Sequence, residues 1–155
     1  MKKIKIISGG QTGADRSALQ FAIRNNILHG GWCPHGRRAE DGRIPDIFQL
    51  DETPSTEYEQ RTEWNVRDSD ATVIFTLDEP LCGGTLLTEE LARRLNKPYM
   101  IITLQQEYDM LQELIDKHNV QVLNVAGPRE SEQPGIGLFV DDYLNNTLAT
   151  YRGTM

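Results

Sequence analysis

The sequence predicts a single Rossmann-like α/β domain over residues 1–155, with three α/β/α layers and a mainly parallel sheet. Short apolar runs alternate with longer segments whose apolar residues recur at helical spacing, and this alternation continues to the C-terminus. Strand–helix–strand units of this kind are right-handed and build a parallel sheet covered by helices. The chain has 155 residues, 38% of them hydrophobic, which suits one domain with a real core.

Short apolar runs predict five strands. Most of these runs are near-continuous in Val, Ile, Leu and Phe, as expected for strands that helices cover on both faces. The predicted strands are residues 4–8, 30–33, 71–76, 99–104 and 121–125, with residues 48–51 as a short edge strand.

Apolar stripes with i, i+3, i+4, i+7 spacing predict four helices. The first ends at Asn25-Asn26, the second stops before Pro98, the third carries His118 on its core stripe, and the last follows Gly135. The stripes span residues 18–23, 86–95, 108–118 and 136–148.

Residues 61–70 form a charged segment without an aliphatic stripe. On a helix, Arg61 and Asn65 share one face and Arg67 lies on an adjoining face. Charged segments are usually solvated surface helices. The absence of an aliphatic stripe, and the strand that follows, favour a role at a site.

Residues 34–56 interrupt the alternation of strands and helices. They contain no long apolar run, and Arg37, Arg38 and Arg43 lie between prolines. Loops longer than ~12–15 residues in a compact domain are usually functional or disordered. We therefore expect residues 34–47 to act as a lid.

The composition argues against several classes of partner. Sixteen Lys+Arg against 23 Asp+Glu give a net charge of −7, which disfavours duplex DNA and membrane surfaces because both are polyanionic. The longest unbroken apolar run has four residues, against the ~20 that a membrane helix needs. The N-terminus does not resemble a signal peptide. We expect a cytoplasmic protein without a nucleic-acid or membrane partner; similar folds often form homo-oligomers.

The first strand-to-helix turn, SGGQTGADR at residues 8–16, predicts an anion-binding site. Glycines let a ligand approach the backbone, and a helix N-terminus supplies free N–H groups. Thr12 and Asp15 also have the N-cap and N3 spacing of a capping box. The turn lacks the residues of a Walker A loop or a dinucleotide-binding fingerprint, which disfavours ATP hydrolysis and NAD chemistry.

Two further glycine turns follow later strands. CGGTLLT at residues 82–88 opens a helix, and NVAGPR at residues 124–129 ends the last strand. Parallel strands place their C-terminal ends on one edge, so the turns are expected to face one crevice. Thr85 and Thr88 fit either helix capping or phosphate contact. Arg129 fits either a bidentate phosphate contact or a surface role.

The histidines and cysteines give weaker signals. His29, His35 and His118 have no ligand spacing, and the two cysteines form no metal-binding motif, so no protein-ligated metal is predicted. Cys82 fits a small buried hydrophobe better than a soft ligand or a reactive thiol.

Five motifs together resemble one known family, described as putative molybdenum carrier proteins. They are SGGQTGADR (8–16), GWCPHGRRAEDG (31–42), RTEWNVRDSD (61–70), GGT (83–85) and NVAGPR (124–129). That family is similar to a wider Rossmann-like group that includes the Lonely Guy nucleotide phosphoribohydrolases. The resemblance implies binding of molybdenum cofactor, or a related nucleotide-like ligand, as cargo.

The resemblance to the Lonely Guy enzymes is incomplete. Arg61 and Arg67 match their arginine positions, but the position of their catalytic glutamate falls on Thr88, and only a slip of the alignment would bring Glu89 or Glu90 there. A hydroxyl cannot act as a carboxylate base near neutral pH. This departure favours binding without turnover.

The preferred hypothesis is therefore a carrier for a small phosphorylated ligand of nucleotide or pterin type. Two alternatives remain: a hydrolase using Arg61 with Asp15, Glu89 or Glu90, and a structural domain with vestigial glycine turns. The predicted ligand-binding residues are Gly9, Gly10, Gln11, Thr12, Gly13, Arg16, Arg37, Arg38, Arg61, Asn65, Arg67, Gly83, Gly84, Thr85, Thr88 and Arg129.

Overall fold

A computed structural model describes residues 3–149 and Tyr151 and confirms the predicted fold class. Nine strands are present among these residues: β1 Lys5–Ile7, β2 Leu28–Gly30, β3 Trp32–Cys33, β4 Arg38–Ala39, β5 Gly42–Arg43, β6 Asp51–Glu52, β7 Ala71–Phe75, β8 Tyr99–Ile102 and β9 Val122–Ala126. The helices are α1 Ala14–Arg24, α2 Tyr58–Arg67, α3 Gly83–Arg94, α4 Asp109–His118 and α5 Ile136–Thr147. No helix in this part of the chain is long and apolar enough to cross a membrane.

The central sheet has five strands in the order β2–β1–β9–β7–β8, and every neighbouring pair is parallel. The chain moves from β1 through α1 to one edge, and from β7 through α3 to the other. It then returns through α4 to place β9 between β1 and β7. The strand order therefore reverses direction at β1, β9 and β7, where ligands of open α/β sheets usually bind.

The two faces of the sheet differ in polarity. Helices α1 and α5 pack together over one face, around a large apolar core that includes Phe21, Phe75 and Tyr143. Helices α2 and α3 pack together over the other face, around a small apolar cluster. Thr62 and Asn65 of α2 are also buried there. This polar packing explains why the α2 segment lacks an aliphatic stripe.

Residues 30–33 are two strands where the sequence predicted one. Gly31 has φ +126° and turns the chain, and a Cβ at that position would clash with the carbonyl of Ser8. As a result β2 joins the central sheet while β3 pairs with β6. The predicted edge strand at 48–51 was therefore misplaced: the strand is Asp51–Glu52, and it does not join the central sheet.

His118 lies on the surface, so its prediction as a core residue was wrong. Helix α4 ends at His118 because Asn119 adopts a left-handed conformation. The chain then turns back, and Val120 N donates to the carbonyl of Ile115. Val120 takes the buried place that the helical stripe assigned to His118.

Residues 34–56 pack as a second small core, and the expectation of a lid over residues 34–47 was wrong. Ala39, Ile44 and Phe48 are buried against Leu19 of α1. The Arg37 guanidinium donates to four backbone carbonyls, those of Ile44, Pro45, Phe48 and Leu50. These bonds use the donors of Arg37 inside the loop, where they cannot serve a ligand.

Replacing Arg37 with Met is expected to lower the free energy of unfolding by about 2 kcal/mol. The substitution removes charge-assisted hydrogen bonds, while the carbonyls of this surface segment regain part of their hydration. Urea unfolding of the two proteins measures the difference. Arg38→Met is the control, because Arg38 is exposed and donates to one carbonyl, that of Thr56. Equal losses in both variants would contradict this role of Arg37.

Candidate functional site

A cleft of about 320 Å³ opens at the edge of the sheet where β1, β9 and β7 end. β9 lies between the strands of the two Gly-Gly turns, so its own turn contributes Ala126 and Gly127 to the lining. The turns after β1 and β7 line the same cleft, as the sequence predicted. The lining residues are Gln11, Asp15, Tyr58, Glu59, Arg61, Thr62, Gly83, Gly84, Thr85, Leu87, Thr88, Ala126, Gly127, Arg129 and Glu132.

The glycines of the first turn serve packing. Gly13 has φ +81°, and a Cβ there would lie 2.6 Å from the carbonyl oxygen of Pro128. A Cβ on Gly10 would lie 2.8 Å from side-chain atoms of Ile44 and Leu50, and one on Gly9 would clash with Arg61. These three glycines allow the turn to pack closely against its neighbours, and none of them lines the main cleft.

The Gly-Gly turn before α3 faces open space. Among the described residues, a Cβ on Gly84 would meet nothing within 4 Å, and one on Gly83 would meet only the Glu132 carboxylate at 3.9 Å. No side chain in the part of the chain that the structure describes caps this helix, whose N-cap residue is Cys82, and its first turn contains no acidic residue. The first N–H groups of a helix have no partner within the helix and carry partial positive charge. Backbone donors of α3 are thus available to a ligand.

Asp15 and Arg61 form a largely buried ion pair beside Gly9 of the first turn. Arg61 Nη1 lies 3.4 Å from Asp15 Oδ2, and the Asp15 side chain is only 3% exposed. Burial raises the pKa of Asp15, while the Arg61 charge and a hydrogen bond from the Gln11 backbone N–H act in the opposite direction. The predicted capping box was wrong: Gly13 is the N-cap of α1, and no side chain within residues 3–149 caps that helix.

Two buried donor atoms, on residues that line the cleft, have no partner among the described residues. They are Nε of Arg61 and Nε2 of Gln11, and Gln11 is only 6% exposed. The amide orientation of Gln11 is determined by its oxygen, which accepts from the backbone N–H groups of Thr12 at 3.0 Å and Glu40 at 2.9 Å. An unsatisfied buried donor costs about 1–3 kcal/mol, so an acceptor at this place is favoured.

Tyr58 borders the cleft and was missed by the sequence reasoning. Its ring centroid lies 5.1 Å from the guanidinium carbon of Arg38, 5.4 Å from that of Arg61 and 5.7 Å from that of Arg129. Such cation–π contacts position the arginines that flank the ring. The available signal was the i, i+3 spacing of Tyr58 and Arg61 at the start of α2.

The charges of the cleft are mixed. Arg61 is paired with Asp15, and Arg129 Nε donates to Glu132 Oε1 at 3.0 Å. Glu59 adds a third carboxylate to these two guanidinium groups. No group of three or more His, Cys, Asp or Glu side chains in the described part of the chain is arranged to hold a metal ion.

The structure brings together seven of the predicted ligand-binding residues in the cleft. Thr85 and Thr88 lie within α3 and do not cap it; the Thr88 hydroxyl donates to the Gly84 carbonyl at 2.8 Å. Gly9 and Asn65 line a small adjoining pocket, and the Asn65 amide is bonded to the Trp32 backbone. The seven residues are Gln11, Arg61, Gly83, Gly84, Thr85, Thr88 and Arg129.

Other predicted residues lie elsewhere. Thr12, Gly13 and Arg16 line a second, more open hollow of about 510 Å³ near α5, where Arg16 pairs with Asp41. Arg67 lies outside the cleft and pairs with Asp68.

Neither shifted glutamate faces the cleft. Glu89 accepts a hydrogen bond from Tyr99 and pairs with Arg93, and Glu90 is exposed. Cys82 is exposed as well, so its prediction as a buried hydrophobe was wrong. Its position at the α3 N-cap keeps it out of the helix–sheet interface.

The raised pKa of Asp15 predicts an unusual pH dependence of stability. A carboxyl whose pKa is raised by folding stabilises the protein below its unfolded pKa, and that contribution is lost as pH rises through the folded pKa. We therefore expect the unfolding free energy of the wild type, relative to Asp15→Asn, to fall as pH rises from 4 to 8.

Asp68→Asn is the contrast in this experiment. A hydrogen bond from Arg67 lowers the pKa of Asp68, so its contribution is present above the unfolded pKa and is lost as pH falls through the folded pKa. Urea unfolding from pH 4 to 8 measures both differences, and the difference for Asp68→Asn should stay constant over this range, because its loss begins only below the unfolded pKa. A constant difference between wild type and Asp15→Asn would contradict the account of Asp15.

The fold and the position of the cleft define the class of the protein: a Rossmann-like α/β domain with a candidate ligand site where the strand order reverses. The sequence model of the circularly permutated YpsA SLOG family matches residues 6–148, so the chain belongs to that family.

A solved structure is also similar to this chain. The crystal structure of a putative molybdenum carrier protein from Syntrophus aciditrophicus SB is 47% identical, covering 94% of this chain and 95% of that one, with a TM-score of 0.89. The resemblance predicted from the motifs is thereby confirmed. No curated protein matches the chain.

Proposed function

We propose that this protein binds and carries a small anionic ligand of nucleotide or pterin type in the cleft, with molybdenum cofactor as the candidate cargo. The observation that carries the proposal is the donor cluster, defined as Gln11 Nε2, Arg61 Nε and the first turn of α3. Among the described residues, the two side-chain donors have no partner and the helix has no side-chain cap. All three parts belong to residues that line one cleft.

Phosphate oxygens match this donor cluster. An anion at a helix N-terminus is stabilised by backbone N–H groups and by the helix dipole. Gly83 and Gly84 leave the approach to that backbone open. Arg61 and Arg129 would add charge, with Tyr58 limiting their motion. The cleft volume lies at the lower end of the range for small-molecule sites, which suits the anionic part of a ligand of moderate size.

The similarity to a structure described as a putative molybdenum carrier protein supports a molybdenum-containing cargo. In this proposal the protein contacts the oxygen atoms of the cargo, because hydrogen-bond donors suit phosphate or molybdate-like oxygens. The metal is then part of the cargo, and the chain holds it through the groups around it.

The hydrolase alternative has one specific observation in its favour. Asp15 is a buried carboxyl with a raised pKa in a cleft, and perturbed groups of this kind often occur at functional sites. However, its Oδ2 is already engaged by Arg61 and by the Gln11 backbone N–H at 3.3 Å. Incubation with nucleoside monophosphates distinguishes the two functions: a carrier releases no base, whereas release that disappears in Asp15→Asn would establish the hydrolase.

Calorimetric titration tests the proposal directly. The probes are inorganic phosphate, molybdate, nucleoside monophosphates and molybdopterin, and native mass spectrometry of fresh protein detects a co-purified molecule. We expect micromolar or tighter binding of at least one phosphorylated probe, together with a raised unfolding temperature. Absence of binding by every probe, with no co-purified molecule, would overturn the proposal.

A further inference from the structure

The cleft carries hydrogen-bond acceptors that an anion would not use. Glu59 lies in the first turn of α2 and lines the cleft, and its carboxylate has no hydrogen-bond or ion-pair partner within residues 3–149 and Tyr151. Glu132 gives Oε1 to Arg129, while its Oε2 points towards the Gly83 end of α3, 3.9 Å from the position of a Cβ there. We call Glu59 and Glu132 the acceptor pair.

The acceptor pair changes the charge balance of the cleft. The charges of Asp15 and Arg61 neutralise each other, and the charge of Glu132 neutralises that of Arg129. The negative charge of Glu59 is therefore left without a counter-charge in the lining of the cleft. A ligand that is only polyanionic would meet repulsion from this pair. A carboxylate accepts hydrogen bonds and donates none, so the complementary ligand presents donors to it.

We propose that Glu59 and Glu132 recognise a donor edge on the ligand, in which a ring N–H lies next to an exocyclic amino group. This inference rests on the proposed function, which places the anionic part of the same ligand at the donor cluster. The two oxygens of the Glu59 carboxylate match two parallel N–H donors, and Glu132 Oε2, the oxygen that Arg129 does not bond, can accept from the same amino group. Guanine and 2-amino-4-oxopterin rings present such an edge. Adenine and cytosine instead place a ring acceptor beside the amino group, which a carboxylate repels.

Titration of GMP, IMP and AMP tests the inference, because these probes share the sugar phosphate and differ in the base edge. IMP keeps the ring N–H and lacks the amino group. We expect GMP to bind about tenfold more tightly than AMP, with IMP between them. In the double variant Glu59→Gln/Glu132→Gln the GMP/AMP ratio is expected to fall to about twofold or less, because an amide can donate as well as accept.

The ratio, rather than the absolute affinity, is the readout. Glu132→Gln also changes the partner of Arg129, which affects all three nucleotides alike. The matched control is Glu63→Gln/Glu113→Gln, which removes two exposed carboxylates outside the cleft, one of them on α2. This control should keep the wild-type ratio.

The possible outcomes distinguish a failure of this inference from a failure of the proposed carrier function. Equal affinities for GMP and AMP in the wild type would overturn the inference and leave the anion site standing. A tenfold ratio that persists in the double variant would overturn the assignment to Glu59 and Glu132. If GMP, IMP, AMP, inorganic phosphate, molybdate and molybdopterin all fail to bind, the inference and the proposed function both fall.

Discussion

Replacing Gly13 with Ala is expected to lower the free energy of unfolding by about 2 to 5 kcal/mol. A Cβ at this position would lie 2.6 Å from both the Pro128 carbonyl oxygen and the Glu130 backbone nitrogen, which are backbone atoms that cannot turn aside. Overpacking costs about 1–3 kcal/mol, and the positive φ of +81° adds about 1–2 kcal/mol for a residue with a side chain. Urea unfolding measures the loss.

Gly84→Ala is the matched variant, and it should behave in the opposite way. A methyl group there meets no atom of the described residues within 4 Å, and Ala suits a helix better than Gly by about 0.5–1 kcal/mol, so stability should be kept or slightly raised. Ligand binding should weaken by about tenfold or more, since the methyl group enters the cleft beside the α3 N–H groups. Gly13 is thus assigned to packing and Gly84 to the binding site. This assignment is wrong if Gly84→Ala unfolds the protein or if Gly13→Ala leaves the stability unchanged.

Replacing Arg61 with Ala is expected to weaken binding of the phosphorylated probe by about 100-fold, or roughly 2.7 kcal/mol. The variant removes a charge that lines the cleft and the unpartnered Nε donor. Arg61→Lys should lose less, about tenfold, because the ammonium keeps the charge next to Asp15 and lacks the planar donor group. Calorimetric titration of wild type and both variants measures these differences.

Arg67→Ala is the control for Arg61. Arg67 lies on the same helix, is exposed, pairs with Asp68 and lies outside the cleft, so its loss should change affinity by less than about twofold. Equal weakening in Arg61→Ala and Arg67→Ala would indicate a general charge effect. Arg61→Ala also leaves Asp15 buried without its partner, so the stability of the variant should recover at acidic pH, where Asp15 is protonated.

The features predictable from the sequence were those that depend on local pattern and parallel topology. Short, mostly apolar runs such as β7 predicted the parallel sheet, and stripes such as that of α5 predicted its helices. Because parallel strands end on one edge, the meeting of the 8–16 and 82–88 turns was predictable from their position after strands. Arg61 was identified because α2 leads into the strand that carries the second turn.

The features that could not be predicted depend on tertiary packing. From the sequence, Arg37 was predicted to bind a ligand, whereas in the structure its guanidinium donates to four backbone carbonyls. Thr12 and Asp15 have the spacing of a capping box, but the Asp15 side chain is buried against Arg61 and does not cap the helix. Tyr58 was not identified, because its contacts join residues distant in sequence, Arg38 and Arg129. Local patterns do not contain these pairings.

Mapping backbone amide shifts by NMR during titration with GMP tests most directly whether the cleft is the binding site. We predict that the largest changes fall on Gln11, Gly83, Gly84, Thr85 and Arg129, with side-chain signals of Arg61 following the same saturation curve. Changes centred on Arg16, Gln20 and Leu138, in the second hollow, would contradict the account.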